Sequence, residues 1–217
     1  MHILSTNVGT ARRNPAKRGA DAMTGHDKRA VPEISVFDPG AKSVDNPHPS
    51  GVAGDFVGDA KHHGGSLQAV YAVGREDLDA WGELLGRGLP DGWMGENLTT
   101  RGGDVNASLV GSHWQVGTAR LRVSVPRIPC ATFADVARAP RWVKRFTEAG
   151  GAGTYLQVLQ AGTIRPGDRV EVIHRPDHGV TVREHFWALT CRPELSGHVL
   201  RAAAELPPES LQRLRPR

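Results

Sequence analysis

The sequence predicts a mainly β fold, a barrel or sandwich with a few peripheral helices and a short helical appendage at the carboxyl end. Its 217 residues include 26 glycines and 15 prolines, which fall at short intervals between apolar runs. This punctuation favours many short strands over long helices, because both residue types interrupt regular elements. Residues 119–125 also show the period-two pattern of a half-buried strand, in which Leu121 and Val123 alternate with Arg120 and Arg122.

The strands are predicted from short apolar runs that are bounded by turn residues. In chain order they cover residues 3–8, 30–37, 68–73, 109–116, 119–125, 155–159 and 169–174. Pro32 interrupts the second of these runs, and Gly117 joins the fourth to the fifth. Residues 12–19 and 45–54 are rich in charged or turn-forming residues, so we expect loops there.

Residues 75–85 are predicted to form the clearest helix. Leu78, Trp81, Leu84 and Leu85 fall on one face of it, and Gly86 follows as a residue suited to end it. The local sequence alone therefore defines both the buried side of this helix and its end.

Two shorter helical segments are predicted at residues 135–138 and 141–147, and the second is expected to bury Trp142, Val143 and Phe146. From Val182 onward the pattern becomes helical again. The chain is therefore expected to contain a β domain, residues 1–178, and a small helical appendage, residues 179–217.

Charge and cysteine content limit the classes of function. The chain has 27 Lys and Arg against 23 Asp and Glu, a formal charge of +4, and these residues are dispersed. We therefore expect a small anionic ligand and no nucleic acid partner. Two cysteines without a Cys-x-x-Cys pair indicate neither a disulfide scaffold nor an iron–sulfur site. No secretory signal or membrane-spanning run is evident, so we expect no membrane association and a cytoplasmic location.

Cys130 is the first candidate for chemistry. The strand 119–125 is followed by Pro126 and Pro129, which remove backbone donors and fix φ, so the chain must leave the sheet in a stiff conformation. Cys130 is thereby held at the rim of the sheet beside Arg127, whose positive charge favours the reactive thiolate. The alternative is a buried structural cysteine, which is the commoner role of a free thiol.

The loop around His62 and His63 is the second candidate. Gly64 and Gly65 follow the two histidines and would let the backbone approach a ligand closely. Adjacent side chains of an extended chain point to opposite faces, which makes a zinc site shared by both histidines a poor explanation. Hydrogen bonds from the histidines to loop carbonyls are the alternative.

Five short motifs together resemble a known family. In chain order they are GD at 54–55, HGG at 63–65, GENLT at 95–99, PRIPC at 126–130 and GD at 167–168. This series is similar to the MOSC domain, named for the carboxy-terminal domain of molybdenum cofactor sulfurases. The similarity runs from about residue 8 to residue 174, and it is stronger to the stand-alone bacterial branch that includes the 6-hydroxylaminopurine reductases.

The resemblance implies a mostly antiparallel β-barrel that binds the molybdenum cofactor, a molybdopterin. Cys130 matches the family position that coordinates the metal, which makes it the expected metal ligand and catalytic residue. The resemblance also implies that Arg127 and Lys61 bind the pterin phosphate or tune the thiolate. The remaining residues expected to line the cofactor pocket are His63, Gly64, Asn97 and Leu98.

The reaction implied by this resemblance is reduction of an N-hydroxylated small molecule, such as a hydroxylaminopurine or an amidoxime. The chain carries no flavin or nicotinamide motif, so a separate electron-donor reductase or ferredoxin-like protein is expected to supply electrons. Two other functions stay open. Cys130 could carry a persulfide or hold the cofactor transiently for delivery, or the barrel could be a binding protein that has lost the cofactor.

Overall fold

The computed structural model describes residues 1–19, 22–26 and 28–215. Within them, the strands are β1 His2–Gly9, β2 Arg12–Arg13, β3 Met23–Thr24, β4 Lys28–Val31, β5 Ile34–Val36, β6 Val70–Gly74, β7 Leu98–Arg101, β8 His113–Val116, β9 Ala119–Pro126, β10 Thr154–Gln160, β11 Gly162–Ile164 and β12 Val170–His174. The α-helices are α1 Arg75–Leu85, α2 Ala131–Ala137, α3 Trp142–Ala149, α4 Val182–Thr190, α5 Ser196–Val199 and α6 Pro208–Leu214. Short 3-10 helices occur at Ser66–Gln68, Val105–Ala107, Pro193–Leu195 and Leu200–Glu205.

The main sheet is mixed and open. Its eight strands run in the order β12-β8-β9-β10-β6-β7-β1-β4. β6 and β7 pair in parallel, with Ala72 opposite Leu98, because helix α1 carries the chain from one strand to the next in the manner of a crossover connection. An isolated bridge joins His2 to Arg169, but no ladder extends from it, so the sheet does not close.

The expected closed and antiparallel barrel is thus not confirmed. Local alternation of apolar and polar residues identifies strands, but it does not determine whether the last strand meets the first. Helices and strands also contribute roughly equal shares of the described chain, where the sequence predicted a predominance of strands.

Helix α1 agrees with its prediction in its bounds and its end, because these signals are local, but Leu84, which was predicted on the buried face, is 51% exposed. It spans Arg75–Leu85, buries Leu78 and Trp81, and ends at Gly86 with the left-handed backbone (φ 65°) that a glycine cap adopts.

Several local predictions were wrong. Arg12 and Arg13 were expected in a loop, but they form β2 and pair with Thr24 and Met23 of β3. Pro32 does not merely interrupt one strand, because β4 joins the main sheet while β5 pairs with β11 in a separate ribbon. Val143 is 44% exposed, since it points away from the face of α3 that buries Trp142 and Phe146. β7 and β11 were missed, because each is short and its pairing partners lie far away in the sequence.

The apolar core has two parts. One lies over the sheet and includes Ile3 and Trp114, together with Val182 and Leu214 from the carboxy-terminal helices. These helices therefore pack on the same core as the strands. The other part is aromatic and lies between α1, α2, α3 and α4; its ring-bearing members are Tyr71, Trp81, Phe133, Trp142, Phe146 and Phe186. Among the described residues, no helix combines the length and hydropathy needed to cross a membrane.

Candidate functional site

A cavity of about 1020 Å³ lies beside the end of β9. Its wall includes the loop after β1, the loop between β5 and β6, the segment before β7, the segment that follows β9, and the region of α6. These parts are far apart in the sequence, so the cavity is a product of the tertiary fold. Its volume is at the upper end of the range for small-molecule sites.

Cys130 lies on this cavity wall because β9 ends where the prolines begin. The strand stops at Pro126, and Cys130 follows in extended backbone (φ −127°, ψ 171°) as the residue immediately before α2. Its side chain is half-buried. The structure therefore places the thiol at the rim of the sheet, as the sequence predicted.

The environment of Cys130 favours the thiolate. Burial raises the pKa of the thiol, but a hydrogen bond from His63, the positive charge of Arg127 and a backbone hydrogen bond at Phe133 outweigh burial. Together they lower the pKa of Cys130 to about 6. At neutral pH the Cys130 side chain is therefore mainly the thiolate, which is the form that acts as a nucleophile and as a soft metal ligand.

Arg127 is a buried cation with an unpartnered nitrogen. Its side chain is 6% exposed, and the guanidinium carbon lies 3.9 Å from the centre of the Phe133 ring. Nη2 lies 3.3 Å from Nε2 of His26. Nη1 is buried without a hydrogen-bond partner, and no carboxylate pairs with Arg127 in the part of the chain that the structure describes. A buried guanidinium in this state is a strong binding group for an anion.

His26 holds Arg127 in place and was not predicted from the sequence. Burial, followed by the positive charges of Arg127, Lys28 and Arg12, lowers the pKa of His26 to about 3. The ring is therefore neutral and can accept a hydrogen bond from Arg127. It also stacks on Phe133, with 5.6 Å between ring centroids. His26 lies 101 residues from Arg127 in the chain, so no local motif indicated this contact.

The glycines after His63 determine how the loop enters the site. Gly64 has φ 86°, and a Cβ atom there would lie 2.5 Å from the carbonyl oxygen of Pro49. Only glycine tolerates both conditions. The tight path that results brings His63 to the Cys130 thiol, whereas the neighbouring His62 is exposed on the same cavity wall.

Asn97 also lines the cavity, but its polar atoms are used within the protein. Its Nδ2 donates to Asp55 Oδ2 at 3.0 Å and to the Asn7 carbonyl at 3.2 Å, while its Oδ1 accepts from the backbone of Tyr71 at 3.2 Å. Asp55 in turn forms a buried ion pair with Lys28. Asn97 therefore fixes the loop that carries Asp55.

The fold brings together five of the seven residues predicted for the site. Cys130, Arg127, His63, Gly64 and Asn97 line the large cavity. Leu98 does not, because its side chain is fully buried in the core as part of β7. Lys61 lines a smaller adjoining pocket of about 400 Å³.

Comparison with known proteins places the chain in a family. The model of the MOSC domain matches residues 59–171. The chain belongs to the MOSC domain family. An uncharacterised protein of Bacillus subtilis, YflK, is 30% identical to this MOSC protein over 151 residues, which is 70% of this chain and 68% of YflK.

Solved structures agree on the fold. YiiM from Geobacillus stearothermophilus superimposes with a TM-score of 0.75 at 24% identity, and the match covers 99% of both chains. YiiM from Escherichia coli gives a TM-score of 0.68 at 20% identity, over 98% of this chain and 90% of that one. The resemblance inferred from the five motifs is therefore confirmed at the level of family and fold.

Helix α6 supplies a part of the cavity wall that sequence analysis missed. Leu189 at the end of α4 and the α6 residues Glu209, Ser210 and Arg213 line the cavity. The sequence indicated only that this region was helical, and it gave no sign that α6 returns to the site. Among the described residues, no group of three or more His, Cys, Asp or Glu side chains is arranged to hold a metal ion.

Proposed function

We propose that this MOSC protein holds a molybdenum pterin cofactor in the large cavity, with the Cys130 thiolate as the protein ligand of the metal. One observation carries the proposal: a thiol with a pKa lowered to about 6 faces the cavity beside a buried guanidinium that has a free nitrogen. Soft thiolates are the ligands that sulfur-rich transition-metal centres prefer. Related MOSC proteins bind this cofactor.

The residues on the cavity wall fit such a ligand. Arg127 offers Nη1 to an anion and is held rigidly by Phe133 and His26, so it would bind a phosphate group without reorganising. His63 would keep Cys130 ionised and ready to coordinate. Because Lys61 and Leu98 do not line this cavity, the proposal relies on Cys130, Arg127 and His63.

The proposed activity is reduction of an N-hydroxylated small molecule, with electrons from a separate reductase or ferredoxin-like protein. In such a reaction the N–O bond breaks, two electrons and two protons are taken up, and the amine and water leave. When bound, the cofactor would supply the two-electron chemistry. His63, whose hydrogen bond lowers the pKa of Cys130, lines the same cavity and is our candidate for passing protons to the substrate.

A second function uses the same thiol. Because the lowered pKa makes Cys130 a nucleophile, it could instead carry a persulfide or hold the cofactor transiently for delivery to another protein. The two functions differ in what the purified protein retains. A reductase keeps its cofactor through gel filtration and turns over with an artificial electron donor, whereas a delivery protein loses the cofactor to an acceptor.

The test is the molybdenum content of protein purified from a host that makes the cofactor, measured by elemental mass spectrometry. We expect near-stoichiometric molybdenum in wild type and a loss of most of it in Cys130→Ser. Cys191→Ser is the matched control, because it removes the other, exposed thiol of the chain and should retain the metal. Equal molybdenum in Cys130→Ser and wild type, or none in either beside a positive control protein, would refute the proposal.

A further inference from the structure

The α6 side of the cavity contains a hydroxyl held by a buried histidine. Ser210 lines the cavity and is 6% exposed. Its Oγ lies 3.1 Å from Nε2 of His185, which is fully buried on α4. The structure gives Ser210 no other side-chain hydrogen bond among the residues it describes. Neither residue belongs to the thiol and arginine group described above.

The state of His185 determines what the Ser210 hydroxyl can do. Burial and then the charge of Arg213 lower the pKa of His185 to about 4, so the ring is neutral. Nδ1 is buried and has no hydrogen-bond partner among the described residues. A proton on Nδ1 would leave a buried N–H donor unpaired, whereas a proton on Nε2 leaves only an acceptor unpaired, which occurs more often in proteins. We therefore place the proton on Nε2, where it is donated to Ser210 Oγ.

This arrangement frees the hydrogen of the serine hydroxyl. Because Ser210 accepts from His185, its own O–H is available to an acceptor in the cavity. The cavity wall is partly apolar. Leu67 and Ile128 are each 37% exposed and both line the cavity, and Leu189 and Pro207 lie on the same wall.

We propose that Ser210 donates a hydrogen bond to the substrate of this site, and that His185 is the positioning residue that orients the hydroxyl. The acceptor would be a nitrogen or oxygen atom of the N-hydroxylated small molecule of the proposed function, bound in the same cavity. This inference rests on the proposed function, because it treats the cavity as shared between cofactor and substrate.

The test measures binding without turnover. 6-Hydroxylaminopurine is titrated calorimetrically into protein from a cofactor-competent host, with no electron donor present. Loss of one hydrogen bond between neutral groups predicts that Ser210→Ala weakens binding about three- to tenfold. Ser210→Thr keeps a hydroxyl and should bind more tightly than Ser210→Ala. The matched control is Ser66→Ala, which removes another hydroxyl from the cavity wall, one that is already bonded to Asp38.

His185 is tested by a pair of variants. His185→Gln retains an N–H donor and should bind the purine more tightly than His185→Leu, which has none. Thermal unfolding and near-UV circular dichroism select the variants that keep the native fold. A purely structural role for His185 would give the same affinity for both folded variants and would overturn its assignment.

Molybdenum content separates this inference from the proposed function. Ser210→Ala should retain the wild-type metal content, since Ser210 is not in the cofactor group. If wild type holds molybdenum and Ser210→Ala binds the purine as tightly as wild type, the Ser210 inference is wrong and the cofactor proposal stands. If neither wild type nor Ser210→Ala holds molybdenum but Ser210→Ala still binds the purine more weakly than wild type, the cofactor proposal is wrong and the Ser210 inference stands. A wild-type protein that does not bind the purine overturns the substrate assignment.

Discussion

Replacement of His63 with alanine should raise the pKa of the Cys130 thiol, because the His63 hydrogen bond is the largest contribution that lowers it. A hydrogen bond to a charged group contributes about 1.5–3 kcal/mol, and about 1.4 kcal/mol corresponds to one pH unit. The pKa should therefore move from about 6 to between about 7 and about 8. At pH 7, the thiolate fraction would fall from about nine-tenths to between about one-half and one-tenth.

The assay is the pH dependence of alkylation by iodoacetamide. The chain has two cysteines, so a Cys191→Ser background leaves Cys130 as its single thiol. Protein from a host that cannot make the cofactor is used, so that the thiol is accessible. The alkylation rate follows the thiolate fraction, and its midpoint gives the pKa. His62→Ala is the matched control, because His62 is adjacent in the chain but does not contribute to the Cys130 pKa.

Two results would refute this reasoning. A wild-type midpoint near the ordinary thiol value of about 8.5 would mean that Cys130 is not activated. A midpoint that stays near 6 in His63→Ala would mean that Arg127 and the backbone hydrogen bond at Phe133 lower the pKa without His63, and that His63 has no electrostatic role.

Three further predictions concern stability. Burial raises the pKa of Glu96 to about 7, so its carboxyl binds a proton more tightly in the folded state. As the pH rises from about 4.5 to above 7, the free energy of unfolding should therefore fall by up to about 3 kcal/mol. Urea unfolding at pH 5 and pH 8 should show this difference in wild type but not in Glu96→Gln. Gly64→Ala should destabilise the protein by about 2 kcal/mol or more, since a positive φ and a blocked Cβ position coincide; an unchanged melting temperature would contradict this. Phe146→Ala should cost about 3–5 kcal/mol in the same urea assay, because its ring is fully buried in the aromatic part of the core. A loss below about 1 kcal/mol would show that this core refills the space.

The elements that were predicted correctly are those whose signals are local. Helix α1 carries its apolar face and its glycine cap within twelve consecutive residues. Strand β9 likewise carries its alternation and its proline stop in one segment. The path of the sheet could not be predicted, because the parallel pairing of β6 with β7 depends on long-range contacts that leave no periodic pattern.

The same distinction applies to the site. The position of Cys130 and Arg127 at the rim of the sheet could be predicted, because stiff, proline-bounded sequence marks the point where β9 ends. His26 and Ser210 were missed, because each reaches the cavity through packing against residues that are distant in the chain. Leu98 was expected in the pocket from its place in a motif, but the alternation of β7 turns it into the core.

The cavity wall extends beyond the family match on both sides, which matters for fragment design. The MOSC match covers residues 59–171, yet His26 precedes it, as does all of β1, and Ser210 follows it. A fragment trimmed to the matched residues would lose the partner of the Arg127 guanidinium and the α6 wall together. A shortened version of this protein should therefore keep the segments that contain His26 and α6, and a tag that displaces α6 would change the cavity wall.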